Sequence, residues 1–452
     1  MADTRIYRTQ TAGNTTTWTF SAWIKRCGIT GVAQQIFNAN TGSSNPENTC
    51  YFDTAEKLNW YNYIGGVTLG HLQTTRVFRD VGAWMHIVCV WDTENATAGD
   101  RMKIWINGVR ETVLTIDANP AEDQVGQVNT SGSVMNIGAN GYNTNYDFDG
   151  CMSHVQFVDG LALAPTEFGE VDSTSGIWKI KTACYGTPGN NGFCLKMEDS
   201  SNMDLDSSSN ALSFTTAGTL TATYDNPSNN FCTMNPLANY YAGGTFSEGN
   251  NKYVSGGGGS SSYIISTMGL TAGKWYCEVK PKTSAAMTVG IVDKEQPDSS
   301  ETIAQTNYGS EYQSDGEAVT DGGSTVSYGD SYTTDDIIGI YLDLDNNKLY
   351  FGKNGTVQAS GTGRTITGIS AMTSPQGGSQ GCYFIAGCKA NGGSTWEFNF
   401  GNGYFGTTAI GSPEEDAGGI GAFKYDPSSG TFDGSSKDFR AICTKNIKAY
   451  GG

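Results

Sequence analysis

The chain has 452 residues, enough for two or more domains, and carries 45 acidic against 27 basic side chains, a formal net charge of -18. The excess is even, with 13 Lys/Arg against 22 Asp/Glu through residue 220 and 14 against 23 after it, so no basic face offers itself to a phosphate backbone or an anionic bilayer. Sixty glycines, with 11% aromatic and only 16% charged residues, describe many short strands joined by turns and exclude a mainly helical protein.

The N-terminal "MADTRIYRTQTAGNTTTW" has no apolar run and no cleavage-site pattern, and nowhere do 18 apolar residues stand together. The expectation is synthesis in a cytosol with no membrane insertion. The first strand signals are "WTFSAWIKR", "QQIFNAN" and "KLNWYNYIGG". In the last, Leu58, Trp60 and Ile64 share one face of a strand, because side chains alternate with period two, leaving Asn59, Tyr61 and Tyr63 on the other. Flat aromatic rings beside amide donors suit a sugar, which offers apolar ring faces and hydroxyls. These three are the candidate ligand-binding residues; the competing reading packs the tyrosines beneath a loop or subunit.

"AWMHIVCVWDT", "RMKIWINGVRE", "VMNIGAN" and "CMSHVQFVDG" continue the strand signals, and "LAPTEFGEV" is one of few stretches able to close a helical turn. "NYDFDG" sets Asn145, Asp147 and Asp149 at alternate positions before a glycine, as a calcium loop does, but position twelve is Gln156 and the bidentate Glu is missing. It is a weak calcium candidate. No other cofactor is expected. Residues 198 to 262 are rich in Ser, Asn, Gly and Asp and end in "SGGGGSSSY", so the predicted division is 1–197, a connecting region 198–262, and 263–452.

The second half offers "GKWYCEVKPK", "MTVGIVDKE", "DIIGIYLDLD", "KLYFGKNGTV", "GCYFIAGCKA" and "STWEFNFGNG". Across 337 to 355, Ile338, Ile340, Leu342 and Leu344 form a core face to which Leu349 and Phe351 return, with Tyr341, Asp343 and Asp345 opposite. Asn354-Gly355 then supplies a tight turn into a third strand. The first half repeats this syntax in "VCVWDTENATAGDRMKIWINGVR". The predicted fold class is therefore all-β, with two antiparallel β-sandwiches and very little helix.

Catalytic patterns are weak. Glu170 and Asp172 precede "STSG", and Asp204 with Asp206 lies in a Ser-rich stretch, so both pairs read as turns rather than as the cleft carboxylates of a glycanase. "GGSQG" at 377 to 381 has none of the three histidines (71, 86, 154) near it in sequence, and "GNGYFG" at 401 to 406 is followed by Thr, Gly and Pro rather than a helix. A second acidic turn, Asp343, Asp345 and Asn347, has Lys348 where a calcium loop needs Gly. Eleven cysteines, an odd number without Cys-x-x-Cys spacing, predict thiols that are mostly or all reduced.

Residues 15 to 165, with "WTFSAWIKR", "AWMHIVCVWD", "MKIWINGV" and "FDGCMSHVQFVDGLALAPTEFGE", resemble the concanavalin A-like, laminin-G-like lectin domain. Residues 260 to 402, with "GKWYCEVKP", "TVGIVD", "IIGIYLDLDNNKLYFGKNG" and "FNFGNGYF", resemble a SPRY domain. The stretches "GFCLKMEDSSNMDLDSSSNALSFTTAG", "DNPSNNFCTMNPL" and "FRAICTKNI" are similar to parts of virion surface proteins of marine bacteriophages. The resemblance implies a non-enzymatic tail-fibre, receptor-binding, head-fibre or capsid decoration protein on a virion surface. Its implied partners are other virion proteins and a host-surface polysaccharide or receptor, with no nucleic acid. It also implies a homo-oligomer, a trimer favoured, or many copies on one particle. A polysaccharide depolymerase and a bacterial adhesion or protein-interaction module are the alternatives.

Overall fold

The computed structural model describes residues 4–29, 31–143, 145–241, 243–256, 262–283, 287–293, 302–306, 308–372, 381–389 and 393–451. The chain folds as two compact units, Met1–Ala222 and Thr223–Gly452. Both are antiparallel β-sandwiches, as predicted.

In the first unit an eight-stranded sheet runs Leu114–Ala118, Val67–Val77, Lys57–Ile64, Glu47–Phe52, Gln34–Asn40, Val134–Ile137, Arg5–Thr9, Thr215–Ala217. It packs on a six-stranded sheet ordered Phe193–Leu195, Gly150–Asp159, Thr17–Arg26, Met85–Asp92, Met102–Ile106, Val109–Arg110. Trp18, Phe20, Ile87, Cys89 and Trp91 from one sheet meet Phe37, Cys50, Leu58 and Trp60 from the other, all fully buried. Stripping such large apolar side chains from water is the main force that closes the sandwich.

The second unit pairs a seven-stranded sheet with a larger one centred on Thr395–Asn399, Lys274–Pro281, Ile338–Asp343 and Lys348–Lys353. The meander read across 337 to 355 is present. Ile338, Ile340, Leu342, Leu344, Leu349 and Phe351 all lie in the inter-sheet core. Asn354 and Gly355 take φ of 49° and 84°, and Asn107 and Gly108 in the first unit take 49° and 78°. Those paired positive φ values are what Asn-Gly supplies at little steric cost.

The opposite face of that sheet is also covered. Tyr276, Tyr341 and Tyr350 pack against Phe423, Phe432 and Phe439 of the C-terminal segment, forming a second core. Asp343 is fully buried there, and Lys437 Nζ lies 2.6 Å from its carboxylate. A buried carboxylate needs such a counter-charge, because its isolated desolvation cost is large.

The region 198–262 is divided between the units rather than standing between them. Thr215–Ala217 pairs with the Arg5–Thr9 strand, while Met234–Tyr241 pairs with Ser262–Ser266 in the second unit. Positions 257–261 of the Gly/Ser tract and 377–380 of "GGSQG" lie outside the described residues. "GNGYFG" leads into a small hairpin of Tyr404–Phe405 and Thr408–Ala409, not a helix. Among the described residues one short α-helix occurs, Thr444–Tyr450, and no helix is long and apolar enough to cross a membrane.

The expectation of mostly reduced thiols holds, with one pair as the exception. Cys184 and Cys194 are joined as a disulfide, their Cα atoms 5.8 Å apart. A turn closed by the Gly192 N–H on the Gly189 carbonyl at 3.2 Å folds the intervening Gly/Pro/Asn segment back on itself. Parity and spacing of the cysteines hold no information about that approach. The other nine are free thiols.

Candidate functional site

The outer face of the eight-stranded sheet is unusually polar for one so well covered. Cross-strand partners share a face, so the register sets Tyr51 beside Asn59, Thr49 beside Tyr61 and Glu47 beside Tyr63. On the other flank His71 lies beside Tyr61 and Gln73 beside Asn59, and beyond Glu47 and Thr49 come Asn40 and Asn38. The loop after Val134–Ile137 folds back to this face, holding the Gln35 N–H on its Tyr146 carbonyl at 2.9 Å.

Two knots organise the face. The Glu47 carboxylate, only 3% exposed, accepts hydrogen bonds from Tyr61 Oη at 2.6 Å, Tyr142 Oη at 2.7 Å and Asn38 Nδ2 at 2.9 Å. Burial first, then the bond to Glu47, pushes the Tyr61 and Tyr142 phenols well above their ordinary pKa, so both stay protonated donors. Asp53 forms the second knot. Its carboxylate accepts the Ala55 and Lys57 N–H groups at 2.8 and 3.0 Å and the side chains of Asn59 and Gln73 at 2.8 and 3.1 Å.

The three predicted residues thus take different parts. Asn59 is 1% exposed and spent: its amide donates to Asp53 and the Lys57 carbonyl, and its oxygen meets Gln73 Nε2 at 3.0 Å and His71 Nε2 at 3.1 Å. It orients His71 and Gln73 rather than presenting free donors. Tyr61 and Tyr63 are half-buried and leave part of their rings at the surface. The Tyr61 ring stands edge-on to Tyr51 at 6.0 Å and to His71 at 5.6 Å. Burial lowers the pKa of His71, which keeps the imidazole neutral near pH 7. Glu47, His71 and Tyr142 were not singled out from the sequence. Glu47 sits in an ordinary alternating strand, and Tyr142 in an Asn/Gly loop that has no periodicity to read.

The calcium candidates do not gather. Asn145 is exposed, Asp147 is buried with its pKa raised by desolvation, and the Asp149 backbone carbonyl accepts the Cys27 N–H at 2.9 Å. Among the described residues no group of three or more His, Cys, Asp or Glu is placed to hold a metal. In the second acidic turn, Asp343 is bound by Lys437 and Asn346, and Asp345 by Lys274.

The carboxylate pairs are turn caps. Asp172 accepts the Thr174 and Ser175 N–H groups at 3.0 and 2.9 Å, and Asp206 accepts those of Cys194 and Ser208 at 2.8 and 2.9 Å. Ser21 Oγ does lie 2.8 Å from His86 Nε2. However, the Trp178 indole donates to His86 Nδ1 at 3.0 Å, which places the imidazole proton on Nε2. That nitrogen donates to Ser21 and cannot take its proton.

Comparison with known families fits these two folds. Residues 3–167 match the concanavalin A-like lectin/glucanases superfamily, and residues 274–402 match the SPRY domain. The chain pairs a concanavalin A-like domain with a SPRY domain. Both are binding-type domains, which supports a non-enzymatic binding or protein-interaction module. Solved structures with similarity include the SPRY domain of human HERC1, 16% identical, covering 36% of this chain and 96% of that one at a TM-score of 0.28. The heptameric SAP-like pentraxin of Limulus polyphemus is 19% identical, covering 36% of this chain and 72% of that one at 0.28. The PSpry domain of TRIM65 is 14% identical, covering 37% and 88% at 0.28. A search of curated proteins returned no match.

Proposed function

We propose that the protein is a non-enzymatic glycan-binding component, with the polar face of the concanavalin A-like domain as its receptor and the SPRY domain as its second contact surface. The observation that carries this reading is the aromatic rim of Tyr51, Tyr61 and His71, held in place by the Glu47 and Asp53 knots. Rings fixed in this way present an apolar surface to a pyranose face without first losing rotamer freedom. The hydroxyls and amides around them suit an uncharged polysaccharide.

The placement on a bacteriophage virion, as a tail-fibre, receptor-binding or head decoration protein, rests on the linking and C-terminal stretches of sequence and not on either domain. A shallow single site of this kind has an affinity on the order of millimolar to micromolar, useful when many copies engage one surface. The deciding experiment measures binding of the purified protein, and of folded Tyr61→Ala and Tyr63→Ala variants, to host cells and a glycan array. Binding that is lost in both supports the site. Binding unchanged in both removes it, and release of reducing sugar ends from the bound polysaccharide would replace the binding reading with a depolymerase.

A further inference from the structure

All six cysteines of the first unit occur in pairs. Cys184 is bonded to Cys194. Cys50 and Cys89, one from each sheet, hold their sulfurs 3.9 Å apart in the fully buried core. The third pair spans two neighbouring strands of the six-stranded sheet. Gly150 is opposite Arg26 and Cys151 opposite Lys25, and the Cys27 N–H donates to the Asp149 carbonyl at 2.9 Å. Residues two apart on a strand share a face, so Cys27 and Cys151 are diagonal neighbours on one surface of the sheet.

We propose that Cys27 and Cys151 are a disulfide-forming site, closed by exchange with a small-molecule disulfide such as oxidised glutathione, while the Cys50 and Cys89 pair stays reduced. Access separates the two pairs. Cys151 is half-exposed with Cys27 buried behind it, whereas no reagent reaches Cys50 or Cys89 in the folded domain. The neighbouring Cys151 thiol, together with burial, pushes the Cys27 pKa up, which disfavours Cys27 as the attacking thiolate.

The Cys151 thiolate attacks one sulfur of the reagent, the reagent's S–S bond breaks, and one glutathione thiolate leaves. Cys27 then gives its proton to solvent and attacks the Cys151 sulfur, expelling the second glutathione. Two protein thiols are oxidised by two electrons and one glutathione disulfide is reduced to two thiols. The bond would pin the chain at Cys27, where the backbone already holds Asp149 at the end of the loop that carries Tyr142 to Glu47.

The test incubates the native full chain with oxidised glutathione at about pH 8, near the ordinary cysteine pKa. The reaction is quenched in acid, and the protein is alkylated in denaturant without reductant, digested and read by mass spectrometry. The expected product is a peptide linking Cys27 to Cys151, with Cys50 and Cys89 both alkylated. Cys27→Ser, a near-isosteric change, should arrest the reaction as a stable glutathione adduct on Cys151. Recovery of that adduct in the parent protein with Cys27 alkylated, of both cysteines alkylated, or of a Cys50–Cys89 link in place of the expected one overturns the proposal.

Discussion

Tyr61 donates its hydroxyl to the Glu47 carboxylate at 2.6 Å, so the ring proposed to meet a glycan is also the ring that satisfies a buried carboxylate. On that proposal recognition and stability meet in one side chain, and the two can be separated by choosing the substitution.

Tyr61→Phe keeps the ring and removes the donor. Glu47 retains Asn38 and Tyr142 but loses its shortest bond, and a hydrogen bond to a charged group contributes about 1.5–3 kcal/mol. The expected result is a lower urea midpoint with glycan binding largely retained. Tyr61→Ala should lose both. A Phe variant as stable as the parent would show that water replaces the phenol on Glu47 without cost.

How much of this was open to reading from the sequence depends on the range of the interaction. Alternation and Asn-Gly turns are local, and they placed Ile338, Leu342 and Phe351 in the core and the Asn354-Gly355 turn correctly. The knots are not local. Tyr142 reaches Glu47 from 95 positions away, and Lys437 reaches Asp343 from 94. No periodicity reports such pairings, which is why Asn59 read as a free amide and the Tyr341 face gave no sign of its aromatic cover. That cover comes from Phe423, Phe432 and Phe439, spaced irregularly in a segment without regular strands of useful length.

His86 predicts acid sensitivity of the first domain. Burial holds its pKa at about 3, against an ordinary value near 6.5, with Trp178 donating to Nδ1 and the Trp23 ring stacked at 4.9 Å. The folded state resists the proton that the unfolded chain accepts. Stability from this residue is thus complete above about pH 6.5 and is lost progressively as pH falls toward 3, a total of roughly 5 kcal/mol. Urea titrations from pH 7 to 4 should show this slope, and His86→Phe, which keeps the stack but cannot titrate, should flatten it. An equal slope in the variant would assign the acid sensitivity elsewhere.

Glu278 predicts the opposite trend in the SPRY-containing unit. Burial pushes its pKa up to about 7, against the downward pull of four donors. These are Lys424 N at 3.0 Å, Asn399 Nδ2 at 2.9 Å, Tyr425 N at 2.9 Å and Tyr276 Oη at 3.1 Å. Since the folded pKa lies above the unfolded one, this contribution is complete below about pH 4.5 and is lost as pH rises to 7, roughly 3 kcal/mol in all. Glu278→Gln removes the titration but turns an amide N–H₂ toward other donors, so it should be less stable at every pH and lack the slope. Hydrogen exchange that resolves the two units should show the second opening more readily at pH 7 than at pH 5. Equal protection at both values would mean that the four donors outweigh burial and keep Glu278 ionised throughout.

Ser153 is the strictest test of the non-enzymatic reading. Its Oγ lies 2.8 Å from His154 Nδ1, and His154 Nε2 lies 3.5 Å from the exposed Glu198 carboxylate without a hydrogen bond, so the tautomer with Nδ1 as acceptor is open to it. This is the protonation pattern that the Ser21–His86 pair lacks. His154 also takes a φ of 48° at a break in strand register between Ser153 and Gln156, the kind of strained position that functional sites favour. Against it, Ser153 is only 8% exposed and faces Trp23 across the strand pair, which leaves little room for an acyl carbonyl to approach Oγ along an attack line. The expectation is that a fluorophosphonate probe leaves the native protein unlabelled, and that Ser153→Ala changes neither glycan binding nor any background ester hydrolysis. Labelling that maps to Ser153 and disappears with His154→Gln would make this bulge an acyl-transfer site, and the concanavalin A-like domain an enzyme.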